Sequence, residues 1–323
     1  MITLYQLHWS HYVEKVRWAL DFKGLQWSAV EVEPFSKRQM RHLQTRTTLD
    51  SGRKLHTAPT IHDDATGAVL SESSAIVEYL ERTYPTPALY PAETQARDEV
   101  TRWMLWLDST LGLAARRLAY TQIAAEYPGI LADLFVPHIA AKGPGSLKAR
   151  LAGVIIAGVL AQRFRFLHNR EDRVYEDLEP CLLLAAARLS SHPYLVADQF
   201  TAADVTLAAL LRPMLLVPFF QGHPRLRGLF EWRDRQVREH RREQQVSYQK
   251  MLHDIRQQRG WALGGVSWLS AERPDRPPVL TEIPALQAVR NDQQQLSGWP
   301  LITGPIWYLR LKQGSGLTRT AYG

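Results

Sequence analysis

Residues 2 to 9 alternate apolar and polar side chains with the two-residue period of a strand, and Val13, Val16 and Leu20 then recur at helical spacing. Gly24 stands where a helix would end, since glycine readily adopts the left-handed backbone of a C-terminal cap. Trp27 to Val32 reads as a second strand, and strand, helix, strand in this order predict a parallel βαβ unit. Residues 35 to 57 are polar and basic, with no clear period. Thr60 to His62 and Ala68 to Leu70 predict two short paired strands around the turn Asp63-Asp64-Ala65-Thr66-Gly67, and a helix follows from Ser73 to Thr83. The order βαβ, loop, ββα is that of a thioredoxin-like domain covering residues 1–84.

Tyr84 to Pro91 holds three prolines in eight residues and predicts a linker. Beyond it the pattern turns helical, with Val100, Trp103, Met104 and Leu107 at intervals of three and four. Further helices are predicted at 129–141, 146–168, 174–190, 202–217 and 226–257. Thr201 with Asp204 three residues on is a variant of the capping box that opens a helix. The expected fold is therefore α+β: the thioredoxin-like domain, then an all-α domain over 92–257 with an extra helical segment near 121–170. Residues 258–323 are rich in Pro, Gly and Trp, show no period, and form an extension of unknown structure.

Composition narrows the function classes. The chain has 323 residues, 45% of them hydrophobic, which suits two folded domains rather than a disordered chain. Its longest apolar run, Leu151 to Ala161, is about half the ~20 residues of a membrane span, and Met1 leads straight into strand-like alternation rather than a leader peptide. A cytoplasmic protein is expected. Cys181 is the only cysteine, so an intrachain disulfide and dithiol redox chemistry are excluded. It sits in the apolar helical run CLLLAAARL and reads as a core thiol, not a nucleophile. The net charge of +7 suggests an arginine-rich surface more than a nucleic-acid or membrane partner, because the arginines of residues 233–259 are interleaved with Asp234, Glu239, Glu243 and Asp254. His8 and His11 have HxxH spacing but lie on a strand and a turn without a supporting acid or cysteine, so no metal site is expected.

Two segments carry candidate chemistry. In the first, SxxxxKVRxAL followed by KGL (Ser10, Lys15, Val16, Arg17, Ala19, Leu20, Lys23 to Leu25), a serine lies where a strand gives way to a helix. In the second, APT leads through a hairpin to ESSAIVEYL, placing an X-Pro bond (Ala58-Pro59) before an acid-serine pair (Glu72-Ser73) at a helix start. Together with FTAADVTLA and HPRLRGLFEWRDRQVREH further on, these motifs resemble the soluble glutathione transferase superfamily, over roughly residues 1–120 and 175–250. The chain departs from that pattern at His11, where many relatives have proline, in the longer stretch 121–170, and in the tail after 260.

The resemblance implies glutathione as co-substrate, with no metal, and a serine-type transferase attacking a hydrophobic electrophile. A free thiol has a pKa near ~8.5, so the bound thiol must be stabilised as the thiolate. Ser10 is the candidate catalytic donor, the alternative being a plain helix cap; Tyr5 on the first strand is a second donor candidate. A cis Pro59 would present the backbone of Ala58 to the tripeptide, and Glu72 and Ser73 would take its γ-glutamyl end. A basic residue for the glycine carboxylate is sought among Arg53, Lys54, His56, Lys37 and His42, with Lys54 carried forward. His11, Trp103, Trp106 and Tyr120, beside Leu107 and Leu111, are candidates for the acceptor pocket, against the alternative of ordinary core. The resemblance also implies a homodimer. A non-catalytic binding or scaffold protein on the same fold is the competing reading.

Overall fold

The computed structural model describes residues 1–45, 57–164 and 171–241. The N-terminal part is a four-stranded sheet in the order β2-β1-β3-β4, built from β1 (Ile2–Gln6), β2 (Trp27–Glu31), β3 (Thr60–Asp63) and β4 (Ala68–Ser71). β1 and β2 run parallel with Ile2 opposite Trp27 and Gln6 opposite Glu31, as the intervening helix α1 (His11–Phe22) requires. β3 pairs antiparallel to β1, Tyr5 opposite Thr60, and β4 antiparallel to β3. Val13, Val16 and Leu20 of α1 are fully buried against the sheet residues Leu4 and Ile61, as their spacing predicts. α2 (Ser73–Thr83) closes the thioredoxin-like unit. The first strand is shorter than its alternation suggests. Pairing ends at Gln6 because the chain then turns, with Ser10 N donating to the Leu7 carbonyl at 2.8 Å.

The linker is pinned rather than loose. The buried Lys23 ammonium donates to Glu81 and to the carbonyls of Tyr84 and Pro87 at 2.7–2.9 Å. Among the described residues eight α-helices follow: α3 (Thr94–Ser109), α4 (Leu111–Glu126), α5 (Gly129–Phe135), α6 (Leu147–Phe164), α7 (Glu171–Ser191), α8 (Ala202–Leu210), the short α9 (Pro218–Gln221) and α10 (Arg227–His240). α8 is buried along its whole length and packs on α1 and α3, so one core runs through both parts of the molecule. Its start is the predicted capping box. The Asp204 carboxylate accepts from the Thr201 amide and hydroxyl and from the Leu195 amide.

Three helices differ from the sequence expectation. The one expected to run to 141 stops at Phe135, before Val136-Pro137, because a residue preceding proline is driven from helical backbone. The one expected over 202–217 breaks after Leu210 into a 3-10 turn, Arg212–Leu216, where Pro213 lacks an amide hydrogen. α10 ends at His240; the rest of the helix expected to 257, the tail 258–323 and residues 46–56 lie outside the described residues.

The stretch 121–170 contributes a helical hairpin. α5 and α6 enclose a second apolar cluster that includes Tyr120, Ile130, Leu131, Phe135, Ile156 and Leu160. Two glycines allow close backbone approach, Gly129 to the loop before α6 and Gly153 of α6 to the start of α5. A Cβ on Gly129 would lie 1.9 Å from the Pro144 carbonyl oxygen, and one on Gly153 would lie 1.8 Å from that of Pro128. The outer side of α6 leaves Leu147, Leu151, Val154, Ile155 and Val159 exposed. No helix among the described residues is long and apolar enough to cross a membrane.

Candidate functional site

Ser10 is the N-cap residue of α1, and its backbone carbonyl accepts from Glu14 N at 2.9 Å. Its hydroxyl makes no capping bond to the helix, so the side chain is not spent on the role that serine usually has there. It is half-buried at the end of the β1 turn, beside the first-turn amides of α1.

The loop carrying Ser10 is held from several sides. The Arg212 guanidinium donates to the His8 carbonyl at 3.0 Å and reaches the buried Glu14 carboxylate of α1 at 3.3 Å. His8 itself bonds Glu31 at the end of β2 through its backbone amide and its ring. Glu14 also meets Arg17 and Arg241, and these guanidinium charges hold its carboxyl below the usual range although burial opposes them. Lys15 and Arg17 of the first motif thus have structural partners: Arg17 bonds the Gln6 side chain, and Lys15 reaches the helical domain.

The Ala58-Pro59 bond is cis, and the Pro59 carbonyl accepts from the Glu72 amide at 3.2 Å. This brings the second motif's two halves together. Glu72 has φ +82°, a left-handed backbone that a non-glycine residue adopts at a cost of about 1–3 kcal/mol. Its carboxylate caps α2, accepting from the amides of Ser74 and Ala75 at 2.9 and 2.8 Å. Burial pushes the Glu72 carboxyl up, while the Lys15 charge draws it back. Ser73 is buried and turns its hydroxyl to Glu72 at 3.3 Å rather than outward, so of the two contacts expected from it only the backbone amide remains for a ligand. Lys54, Arg53 and His56 lie outside the described residues. Tyr5 belongs to a small core with Val32, Met40 and Leu43.

The expectation that His11 lines an acceptor pocket is corrected. Its ring is 3% exposed and its Nε2 donates to the Gly112 carbonyl of α4 at 2.8 Å. Burial, with the charges of Arg116 and Arg212, lowers its pKa to about 3, so the ring is neutral at ordinary pH and holds its proton on Nε2. Trp103 and Trp106 are half-buried on α3, in edge-to-face contact with each other at 5.4 Å and packed on the main core. Tyr120 does meet the Ser10 loop: its hydroxyl accepts from Trp9 Nε1 at 3.3 Å.

Tyr120 belongs to an aromatic group the sequence did not announce. Trp9 and Phe135 lie 5.3 Å apart, Tyr120 and Phe135 6.0 Å, and Phe35 and Phe135 5.7 Å. It joins the Ser10 loop, the loop after β2, α4 and α5. Arg116, on α4, was also missed; its charge acts on His11, Tyr12 and Tyr120. The four-residue spacing Gly112, Arg116, Tyr120 marks one helix face, but only docking shows what that face meets.

Among the described residues no group of three or more His, Cys, Asp or Glu side chains is placed to hold a metal ion. Cys181 is a buried thiol pushed up to about 12 by burial, with Thr110 as neighbour.

This architecture, a thioredoxin-like unit followed by helices, has the fold of glutathione transferases. Residues 4–88 match the family described as glutathione S-transferase, N-terminal domain. Over 100 residues the chain is 33% identical to a maleylpyruvate isomerase from Ralstonia sp, a stretch that covers 31% of this chain and 43% of that protein, so less than half of the relative is matched. The fold is similar to that of a glutathione transferase from Phanerochaete chrysosporium, with a TM-score of 0.55 at 20% identity over 73% of this chain and 96% of that one. It is also similar to a beta-etherase from Sphingobium sp., with a TM-score of 0.50 at 20% identity over 80% and 99% of the two chains.

Proposed function

We propose that the chain is a glutathione-dependent enzyme of the transferase type, in which the Ser10 hydroxyl donates to the sulfur of bound glutathione and lowers its pKa. The observation that carries this is the Ser10 side chain, which sits at the N-cap of α1 and does not cap it. A hydrogen bond from this hydroxyl, with the helix-end potential, supplies the roughly 1.4–2.8 kcal/mol that a drop of one to two pKa units needs. The thiolate then attacks a hydrophobic electrophile and the serine forms no covalent bond. The Ala58 backbone beside cis Pro59 pairs with the cysteinyl residue, and the γ-glutamyl end lies at the start of α2, with its carboxylate on the Ser73 amide and its ammonium near Glu72. Lys54 is the cation proposed for the glycine carboxylate. We further place the protein in the cytoplasm as a homodimer, and its domains at 1–84, 92–257 and 258–323.

A second reaction type has one specific support, the likeness to a maleylpyruvate isomerase. The same thiolate could add to an unsaturated acid and leave again, giving isomerisation in place of conjugation.

The test is Ser10→Ala. Glutathione binding measured by calorimetry should stay within a few-fold, while the pH–rate profile for conjugation of an aryl halide moves up by one to two units. At neutral pH that is a loss of about ten- to a hundredfold. Retention of glutathione without any turnover in the parent protein would favour the scaffold reading, and an unmoved profile would remove Ser10 from the chemistry.

A further inference from the structure

The α5–α6 hairpin carries apolar surface on both sides. Of the ten large apolar side chains exposed among the described residues, six (Ile139, Leu147, Leu151, Val154, Ile155 and Val159) lie in it. Five of these stand on α6, and each is at least half exposed, with Leu147 at 71% and Ile155 at 69%. At 3.6 residues per turn they share an arc of about 140° that runs for roughly three turns. Gly158 falls inside the arc, and a Cβ there would meet nothing within 4 Å. The opposite side of the helix, with Ala149, Ile156 and Leu160, is buried in the cluster shared with α4 and α5. A surface helix ordinarily turns polar residues to solvent, whereas α6 turns aliphatic ones.

The charge around this face has one sign. No Asp or Glu occurs between Asp133 and Glu171, while six Lys or Arg do. Lys148 and Arg150, both exposed, flank the midline of the arc on either side at its N-terminal end, and Lys142 is exposed in the loop before α6. On α4 and α5, which pack against α6, the acids are Glu126, buried, and Asp133, half-buried. The exposed arginines of α10, by contrast, alternate with Asp234 and Glu239.

These charges decide between occupants. A second copy laid on the face in either direction would set cation against cation, because α6 contains no acid. Residues 258–323 hold seven Lys or Arg against four Asp or Glu, so that segment is no electrostatic match either. An anionic lipid surface suits both features. The acyl boundary takes aliphatic side chains without directional partners, and the long stems of Lys and Arg reach from an apolar band to phosphates.

We propose that the outer face of α6 is a membrane-docking surface, which lies in the plane of an anionic lipid bilayer with its five aliphatic side chains in the acyl boundary and Lys148 and Arg150 at the lipid phosphates. α5, in the same hairpin, meets the Ser10 loop through Phe135 and Trp9, 5.3 Å apart. Docking therefore brings the Ser10 loop near a phase in which hydrophobic electrophiles dissolve. The inference itself stands apart from the glutathione reading and is tested without it.

The full chain is mixed with vesicles of phosphatidylglycerol and phosphatidylcholine in equal parts, and with vesicles of phosphatidylcholine alone, and binding is read by co-flotation. The parent protein should bind the anionic vesicles about tenfold or more tightly than the neutral ones, and added salt should reduce the difference. Ile155→Glu with Val159→Glu should weaken binding to the anionic vesicles by about tenfold or more. Lys148→Gln with Arg150→Gln should remove most of the preference for anionic lipid and leave binding to neutral vesicles as it was. Circular dichroism and urea unfolding of both variants should match the parent, since all four side chains are exposed. A parent that binds neither vesicle, or both equally, overturns the inference. Undiminished binding in the folded Ile155→Glu, Val159→Glu variant also overturns it, because another surface then carries the contact. So does a parent dimer, seen by sedimentation without lipid, that this variant splits into monomers, since the face would then join two copies.

Discussion

The Lys15 ammonium on α1, fully buried, donates to Asp108 Oδ2 on α3 at 2.8 Å, so this ion pair helps to join the two parts of the molecule, beside those of Glu14 with Arg212 and Arg241. Ser74 of α2 completes the contact, receiving from Lys15 and donating to Asp108, each at 2.8 Å. Breaking a buried pair leaves the other charge uncompensated. Lys15→Met should therefore lower stability by about 3–5 kcal/mol in urea denaturation, and adding Asp108→Leu should recover part of that loss. Additive losses in the double variant would show that the pair is not coupled.

His11 gives stability a pH dependence with a defined sign. Burial lowers its folded pKa from the ordinary value of 6.5 to about 3, so below 6.5 the unfolded chain takes up a proton that the folded one refuses. Its stabilising share is complete above that value and is lost as the pH falls through 6.5 toward 3, at on the order of 1 kcal/mol per pH unit. His11→Gln, which can still donate to the Gly112 carbonyl, should flatten this limb of the stability–pH curve. An unaltered slope between pH 6.5 and 5 would mean that the ring is not held neutral.

Glu72 separates the capping role from the ligand role. Glu72→Ala deprives the Ser74 and Ala75 amides of their acceptor and should cost about 1–3 kcal/mol in thermal or urea unfolding. Glu72→Gln keeps an acceptor oxygen without the charge, so it should retain most of the stability and lose glutathione affinity if the carboxylate also meets the ligand's ammonium. Full affinity in Glu72→Gln would confine the residue to capping.

Gly153→Ala tests the α5–α6 hairpin. The added methyl would overlap the Pro128 carbonyl oxygen, a backbone atom that cannot move alone. Overpacking of this kind costs about 1–3 kcal/mol or more. Hydrogen exchange should speed up through residues 129–164 and remain slow in the sheet, whose core is separate. Uniform acceleration across the chain would show instead that the hairpin unfolds together with the rest.

The order of elements in the thioredoxin-like unit was legible, though its first strand is shorter than expected. Its strands alternate, α1 repeats its apolar face at helical spacing, and the start of α2 falls at Ser73 as the motif suggests. The helical part was legible in its element types and less so in its ends. Pro137 and Pro213 cut helices that apolar periodicity alone extends, since periodicity records which side is buried and not where an amide is missing. Asp204 was readable as a cap because its partners lie within a few residues.

The sequence by itself determined the local chemistry: a serine at a strand end, a proline after Ala58, an acid and a serine at a helix start. Each depends on neighbours in the chain, whose geometry the backbone sets. The tertiary structure decided which side chains were available. It turned the His11 ring into the seam with α4, put Glu72 to work as a cap, and brought Trp9, Tyr120, Phe35 and Phe135 from four separate segments into one aromatic group. Such assignments follow from how α4 docks against α1 and how α5 meets the loops after β1 and β2. Docking is governed by the summed burial of many apolar residues, so no short motif carries it.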